Sequence, residues 1–196
     1  MEHKFIGKKQ KIALSQVNLK EYFEFYRDFI CPYLYKYTFE DNTEIEIIFN
    51  KKHFSHLLGL HKFKRISFYK KSEDINNDIL NNKLIFKNLL ALENKKLNDE
   101  LRDRITYFPT LKTLLENVDT ALKYDINIIW NSKIEFSFLL KTDKISVIVY
   151  LAVKEIKNNK KICVPVSLLV DRNNRFSKLN LKKLNIIQRA IEPRNQ

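Results

Sequence analysis

The strongest constraint on this chain is a period-two apolar pattern in its last third. Ile134, Phe136, Phe138 and Leu140 alternate with other residues. Ile145, Val147, Val149, Leu151 and Val153 do the same, and so do Ile162, Val164, Val166, Leu168 and Val170. Successive side chains of a strand point to opposite faces, so each set predicts one strand with a buried face. The separators Lys141-Thr142-Asp143-Lys144 and Lys157-Asn158-Asn159-Lys160 are turn formers, which makes the three strands an antiparallel β-meander. With Thr142-Asp143 and Asn158-Asn159 as two-residue loops, Phe136 faces Val149 and Phe138 faces Val147. Val149 then faces Leu168, and Val147 faces Val170. All three apolar sets share one face, an agreement that a one-residue slip would destroy.

Ahead of the meander the pattern is mixed. Residues 1–14 are basic and unpatterned and read as a loose lead-in. Asn18 can cap a helix with Leu19, Phe23, Tyr26 and Ile30 on one face, and Pro32 stops it. Tyr33 to Phe39 and Glu44 to Phe49 read as strands around Asp41-Asn42-Thr43, and Lys51 to Leu58 as a short helix closed by Gly59. From Ser72 to about Tyr124 the spacing is helical: Leu97, Leu101, Arg104 with Ile105, and Phe108 recur every three or four residues. Charges in that stretch nearly cancel, so it reads as packing. The expected architecture is α+β: an antiparallel β-meander packed on helices, one domain over 1–196, with a helical insertion at 72–124.

Composition narrows the function. Two glycines, Gly7 and Gly59, cannot build a Gly-rich phosphate loop, and two cysteines cannot build a disulfide scaffold. No apolar run approaches the ~20 residues of a membrane-spanning helix, and the first ten residues lack a signal-peptide core. A soluble, cytoplasmic protein is expected, without membrane partner or cofactor. The formal net charge is +13, nearly all of it in two stretches. Lys51, Lys52, Lys62, Lys64, Arg65, Lys70 and Lys71 have no acid among them. After Asp171 come Arg172, Arg175, Lys178, Lys182, Lys183, Arg189 and Arg194, against Asp171 itself and Glu192. Such clustering predicts an anionic partner, with Lys51, Lys52, Lys62, Lys64, Arg65, Arg172 and Arg175 as candidate nucleic-acid contacts.

The same registers place Glu135 opposite Tyr150 and Tyr150 opposite Ser167, with Lys154 on the same side of the sheet. Ile148, Ala152, Leu139 and Leu169 share that face, so it is partly covered and its polar groups sit in a cleft. Three of the four histidines lie within nine residues. His53 and His56 flank the buried arc Phe54, Leu57 and Leu58 of the short helix, while His61 follows the glycine cap and reads as a partner of the helix end. An imidazole can accept or donate a proton at neutral pH. No H-E-x-x-H occurs and no acid lies between Lys51 and Lys71, so no metal site is expected. No G-x-S-x-G elbow is present, and Cys31 and Cys163 read as small buried hydrophobes.

The run Phe49-Asn50-Lys51-Lys52-His53-Phe54-Ser55-His56-Leu57-Leu58-Gly59-Leu60 resembles the F-x-H-L-L-G-L segment of the PBECR4 family, a phage barnase, EndoU, colicin E5/D and RelE-like nuclease grouping. Pro165-Val166-Ser167, followed by a basic tail, is similar to that family's C-terminal pattern. The resemblance implies helices packed on an antiparallel sheet and metal-independent RNA cleavage on the sheet's open face. His56 and Ser167 carry over from the two matches. The expected roles are His56 as base or acid, with His53 beside it and Glu135 or Tyr150 as complement. Lys154 stabilises the phosphorane, Ser167 hydrogen-bonds a phosphate oxygen, and unpaired bases stack on Phe68, Tyr69 or Tyr150. RNA is the expected partner, an immunity or antitoxin protein a candidate one, in a toxin, mobile-element or defence setting. The alternative is a non-catalytic basic nucleic-acid-binding accessory protein of a phage, plasmid or conjugative element. A third reading is a protein that docks on an acidic partner.

Overall fold

The computed structural model describes residues 3–63, 66, 68, 71–92, 97–125, 135–157, 159–176 and 178–194. Helix α1 spans Leu19–Phe29 and is started by Asn18, whose side chain accepts the Glu21 amide at 3.2 Å. Strands β1 (Tyr33–Phe39) and β2 (Glu44–Ile48) pair as a hairpin, turning through Asn42 in the left-handed region at φ 60°. Helices α2 (Phe54–Leu58), α3 (Ser72–Leu80), α4 (Phe86–Leu92), α5 (Asp99–Tyr107) and α6 (Leu111–Glu116) follow. The last third holds β3 (Thr120–Lys123), β4 (Phe138–Lys141), β5 (Val149–Ile156), β6 (Asn159–Val170) and β7 (Lys183–Pro193).

The helical segment therefore runs from 51 to 116, and Thr120–Lys123, expected to be helical, is a strand. It fits between β4 and β7, whose backbone groups it satisfies on both sides. Strand order is β1-β2-β6-β5-β4-β3-β7, and β7 pairs with β1 to close a barrel. The α+β class and the antiparallel meander β4-β5-β6 are present. They belong to a closed sheet that also contains a parallel pair, β2 with β6.

The meander's registers differ from the expected ones. Phe138 pairs with Val153 rather than Val147, because residues 142–148 form a longer connection than a two-residue turn. Val149 pairs with Val170, Tyr150 with Leu169 and Ala152 with Ser167. Two irregularities interrupt β5–β6, one between Ala152 and Val153 and one between Glu155 and Ile156. The first lies beside Pro165, which has no N–H for the ladder, and bulges are where sheets tolerate proline. The extra residue flips the face of β6. Cys163 is buried in the main core with Leu168, whereas Val164 is half-buried and Val166 packs on the opposite side. Phe136 likewise joins the opposite side, and Ile134 lies outside the described residues.

The inner face of the barrel shares one apolar core with the helices. Tyr35, Tyr37, Phe49, Leu140, Leu151 and Val153 meet Phe54, Leu57, Leu58, Ile105, Phe108 and Leu114. Buried tyrosines satisfy their hydroxyls on helix carbonyls: Tyr37 donates to Leu115 O at 2.6 Å, Tyr22 to Ile105 O at 3.0 Å. The N-terminal segment is not a loose lead-in. Phe5 is buried edge-on against Tyr22 and Phe25, with centroids 5.5 and 5.3 Å away, and the Ile12 amide donates to Thr106 O. A second cluster covers the outer sheet face, where Leu139, Tyr150, Ala152 and Leu169 lie under Phe176 and Leu181. Among the described residues, no helix is long and apolar enough to cross a membrane.

Candidate active site

The turn that ends α2 positions the first two site residues. Asn50 fixes its approach: the Asn50 amide donates to His53 Nδ1 at 3.2 Å, and its carbonyl accepts the Tyr26 hydroxyl at 3.0 Å. Helix α2 buries Phe54, Leu57 and Leu58, as its spacing predicts, and leaves His56 exposed. Gly59 then reverses the chain in the left-handed region, φ 70°. The reversal returns His61 to His56, with ring centroids 5.3 Å apart. It also seats the turn on α5, where a Cβ on Gly59 would lie 2.9 Å from Leu101 Cδ1 and 3.1 Å from Arg104 Nη1. Gly59→Ala is expected to combine left-handed strain with overpacking and to destabilise the fold by about 2–4 kcal/mol. Urea denaturation measures this, and a loss below about 0.5 kcal/mol would show that the turn has another way to sit.

Helix α5 brings a polar stripe to that turn. Glu100, Asp103, Arg104 and Tyr107 recur at helical spacing, while Leu101 and Ile105 enter the core. Arg104 is only 3% exposed. Its Nη2 donates to Glu100 Oε1 at 2.9 Å, and its Nε has no partner among the described residues. Lys62 reaches the same Glu100 oxygen at 3.4 Å. Burial alone would raise the Glu100 carboxyl, but Lys62, Arg104 and Arg175 outweigh it and hold that carboxyl below its usual range. His61 stays exposed overall. Partial loss of water, then the charges of His56, Arg104 and Lys62, lowers its pKa below the ordinary imidazole value.

The connection from β6 to β7 forms the far side. The Asp171 carboxylate accepts the amides of Arg175 and Phe176 at 2.7 and 2.9 Å, shaping a tight turn. Arg175 lies over the Phe176 ring, 4.4 Å from its centroid. Arg172 grips Asp103 with both Nε and Nη2, which ties this connection to α5. Lys62, Arg104 and Arg175 thus act on one carboxylate, Glu100, while Arg104 and Lys62 also act on His61, which stands beside His56. Such a group can hold a phosphate and move protons on either side of it. Among the described residues, no three His, Cys, Asp or Glu side chains converge as metal ligands.

A family model described as phage-Barnase-EndoU-ColicinE5/D-RelE like nuclease, the fourth of its series (PBECR4), matches residues 18–189. The chain belongs to the PBECR4 family. It is a nuclease domain of that type, and nucleic acid is its substrate class. The match begins at the cap of α1, ends in β7 and takes in every element of the cluster just described. No curated protein and no solved structure matches the chain.

Of the residues expected from sequence, the PBECR4 domain brings His56 and Lys62 into this group, with Arg175 at its edge. It adds His61, read from the sequence as a partner of the helix end, and two α5 residues read as packing, Glu100 and Arg104. Their signal was the i, i+3, i+4 and i+7 spacing of Glu100, Asp103, Arg104 and Tyr107, within a stretch whose charges cancel. His53 holds the Asn50 amide instead of facing the group, and burial, then Lys52 and His56, pushes its pKa down to about 4.

The outer-face set is arranged differently. Tyr150 and Ser167 are not opposite each other. They are diagonal neighbours, each 2% exposed, and Phe176 meets Tyr150 edge-on at 5.4 Å. Burial first, then Asp171 and Asp143, pushes Tyr150 up to about 12. Glu135 precedes β4 and pairs with Lys154 in the open, not with Tyr150. Among the described residues, no hydrogen bond, ion pair or ring contact joins His56 to Tyr150, Lys154, Ser167 or Glu135.

The basic stretches also divide. Arg172 is committed to Asp103, Lys182 to Asp41 at 2.8 Å, Arg189 to Glu116 O at 2.7 Å and Arg194 to Phe49 O at 2.9 Å. Lys51 and Lys52 are exposed and make no ion pair among the described residues, while Lys64 and Arg65 lie outside them.

Proposed function

We propose that this PBECR4 domain is a metal-independent endoribonuclease that cuts by internal transesterification. The observation that carries the reading is the His56–His61 pair, 5.3 Å apart, with Arg104 and Lys62 acting on His61 and Arg175 on the adjoining Glu100. Cleavage of this kind needs a base for the 2′-OH, cations for the phosphorane and an acid for the leaving 5′-oxygen. His61, with its lowered pKa, is neutral at pH 7 and takes the 2′-OH proton. The 2′-oxygen attacks phosphorus and the P–O5′ bond breaks, with His56 giving its proton to the 5′-oxygen. Lys62 and Arg175 offset the charge on the phosphorane oxygens, and Arg104 holds Glu100 and the His61 turn in place. The products are a 2′,3′-cyclic phosphate and a 5′-OH end. Lys51 and Lys52 extend the electrostatic track for flanking phosphates. A toxin, mobile-element or defence role is in keeping with the phage in the family's description.

The test is end-labelled RNA incubated with the protein in EDTA. Cleavage is expected to survive chelation and leave a cyclic-phosphate end, and the DNA of the same sequence, lacking the 2′-OH, is expected to stay intact. Cleavage only with added divalent metal, or equal cutting of DNA, would overturn the mechanism. RNA binding without any cleavage would favour the non-catalytic accessory protein.

A further inference from the structure

Thirteen of the fourteen phenylalanines are buried or half-buried, and Phe68 alone is exposed, at 84%. Its neighbours make that exposure specific. Phe63 and Ile66 are buried in the main core, and the Ile66 amide donates to Phe63 O at 3.0 Å, so the chain is pinned just before Phe68. Immediately ahead of the pinned turn stand His61 and Lys62 of the candidate active site, and Lys71 lies exposed three residues beyond Phe68. Residues 62–71 contain Lys62, Lys64, Arg65, Lys70 and Lys71 and no acid. Seven residues of chain bound the separation of His61 from Phe68 at about 25 Å. Of the three rings expected to stack on bases, Tyr150 is buried and Tyr69 lies outside the described residues.

We propose that Phe68 is a stacking platform for an unpaired base of single-stranded RNA leading into the His56–His61 group. A flat apolar ring in a lysine-rich stretch of chain is a combination by which proteins hold single strands without reading their sequence: the ring takes the base, and lysines such as Lys62 and Lys71 take the phosphates. A duplex keeps its bases stacked on one another and offers no face to the ring. The domain therefore selects unpaired RNA, and its cut sites lie in loops, bulges or ends. The identity of the nucleic acid rests on the endoribonuclease reading; the stacking itself does not.

The experiment uses the full chain and a 2′-O-methyl oligonucleotide, which has no attacking hydroxyl, in single-stranded and duplex form. Phe68 is exposed and belongs to neither apolar cluster among the described residues, so its variants are expected to fold. Phe68→Ala is expected to weaken single-strand binding by about 5- to 100-fold and to leave duplex binding within about twofold. Phe68→Trp restores the single-strand affinity, and Phe68→Leu does not. An unchanged single-strand affinity in Phe68→Ala, or an equal loss on the duplex, would overturn the proposal. Because the probe cannot be cut, the two readings fail separately. Loss of affinity in Phe68→Ala together with an absence of RNA cleavage would keep the platform and remove the nuclease mechanism. Cleavage of RNA with no effect of Phe68→Ala would do the reverse.

Discussion

His61→Ala and His56→Ala are each expected to lower kcat/KM for RNA cleavage by about 10²–10⁴-fold, with RNA affinity nearly unchanged. Each variant removes one proton carrier and leaves Lys62, Arg104 and Arg175 in place. The pH profile separates the two roles. A base must be neutral to act, so activity rises with pH through the pKa of His61. That pKa is lowered, first by loss of water and then by His56, Arg104 and Lys62, so the acid limb is expected below the ordinary ~6.5 of an imidazole. Glu100, the carboxylate that faces Lys62 and Arg104, carries its charge across this range and does not oppose the sign. His61→Ala should erase the acid limb, and His56→Ala should keep it at a lower rate. Steady-state rates on a dinucleotide substrate from pH 4.5 to 9 measure both. Single variants that cleave within about threefold of the parent would remove the imidazole pair from the mechanism.

Local chemistry was legible where one residue decides a local outcome. Asn18 caps α1 because its short side chain reaches the Glu21 amide, and Gly59 closes α2 because its backbone tolerates positive φ. The alternation in β4 to β6 announced strands because a half-buried strand has no other pattern. What the pattern lacked was register. A bulge adds one residue with no compositional mark except Pro165 beside it, and it turned Cys163 inward and Val164 outward. The pairing of Tyr150 with Ser167 failed for that class of reason, since loop length and bulges decide register and neither is a propensity.

The candidate site was hidden by a different effect. Charge counting favours segments of one sign, and α5 sets Asp99, Glu100 and Asp103 against Arg102 and Arg104, which nearly cancel, so it read as packing. The basic tail drew attention for its surplus, yet Arg172, Lys182, Arg189 and Arg194 spend their charge holding the fold together. Net charge predicts the class of partner. The side chains that meet it depend on which cations the fold leaves unspent, and that follows from tertiary pairing.

The protein is also expected to lose stability in mild acid through His53. In the folded state its imidazole takes the Asn50 amide on Nδ1, and burial, then Lys52 and His56, pushes its pKa down to about 4. Unfolded, it titrates near ~6.5. Above that pH both states hold it neutral and it contributes nothing to the pH dependence. Between ~6.5 and about 4 the unfolded chain takes up a proton that the native state refuses, so unfolding is favoured as pH falls. With about 1.36 kcal/mol per unit, reduced for the part of the ring that water still reaches, the loss is about 2–3 kcal/mol. Carboxylates titrate over the same interval, so the measurement is a difference. His53→Gln places an uncharged acceptor three residues into the turn, where it can still hold the Asn50 amide in the manner of a capping box. Urea denaturation of both proteins at pH 7.5 and 4.5 should show the parent losing about 2–3 kcal/mol more than the variant. A gap that stays constant within about 0.5 kcal/mol would mean that His53 is protonated in the fold, and that the Asn50 amide has found another acceptor.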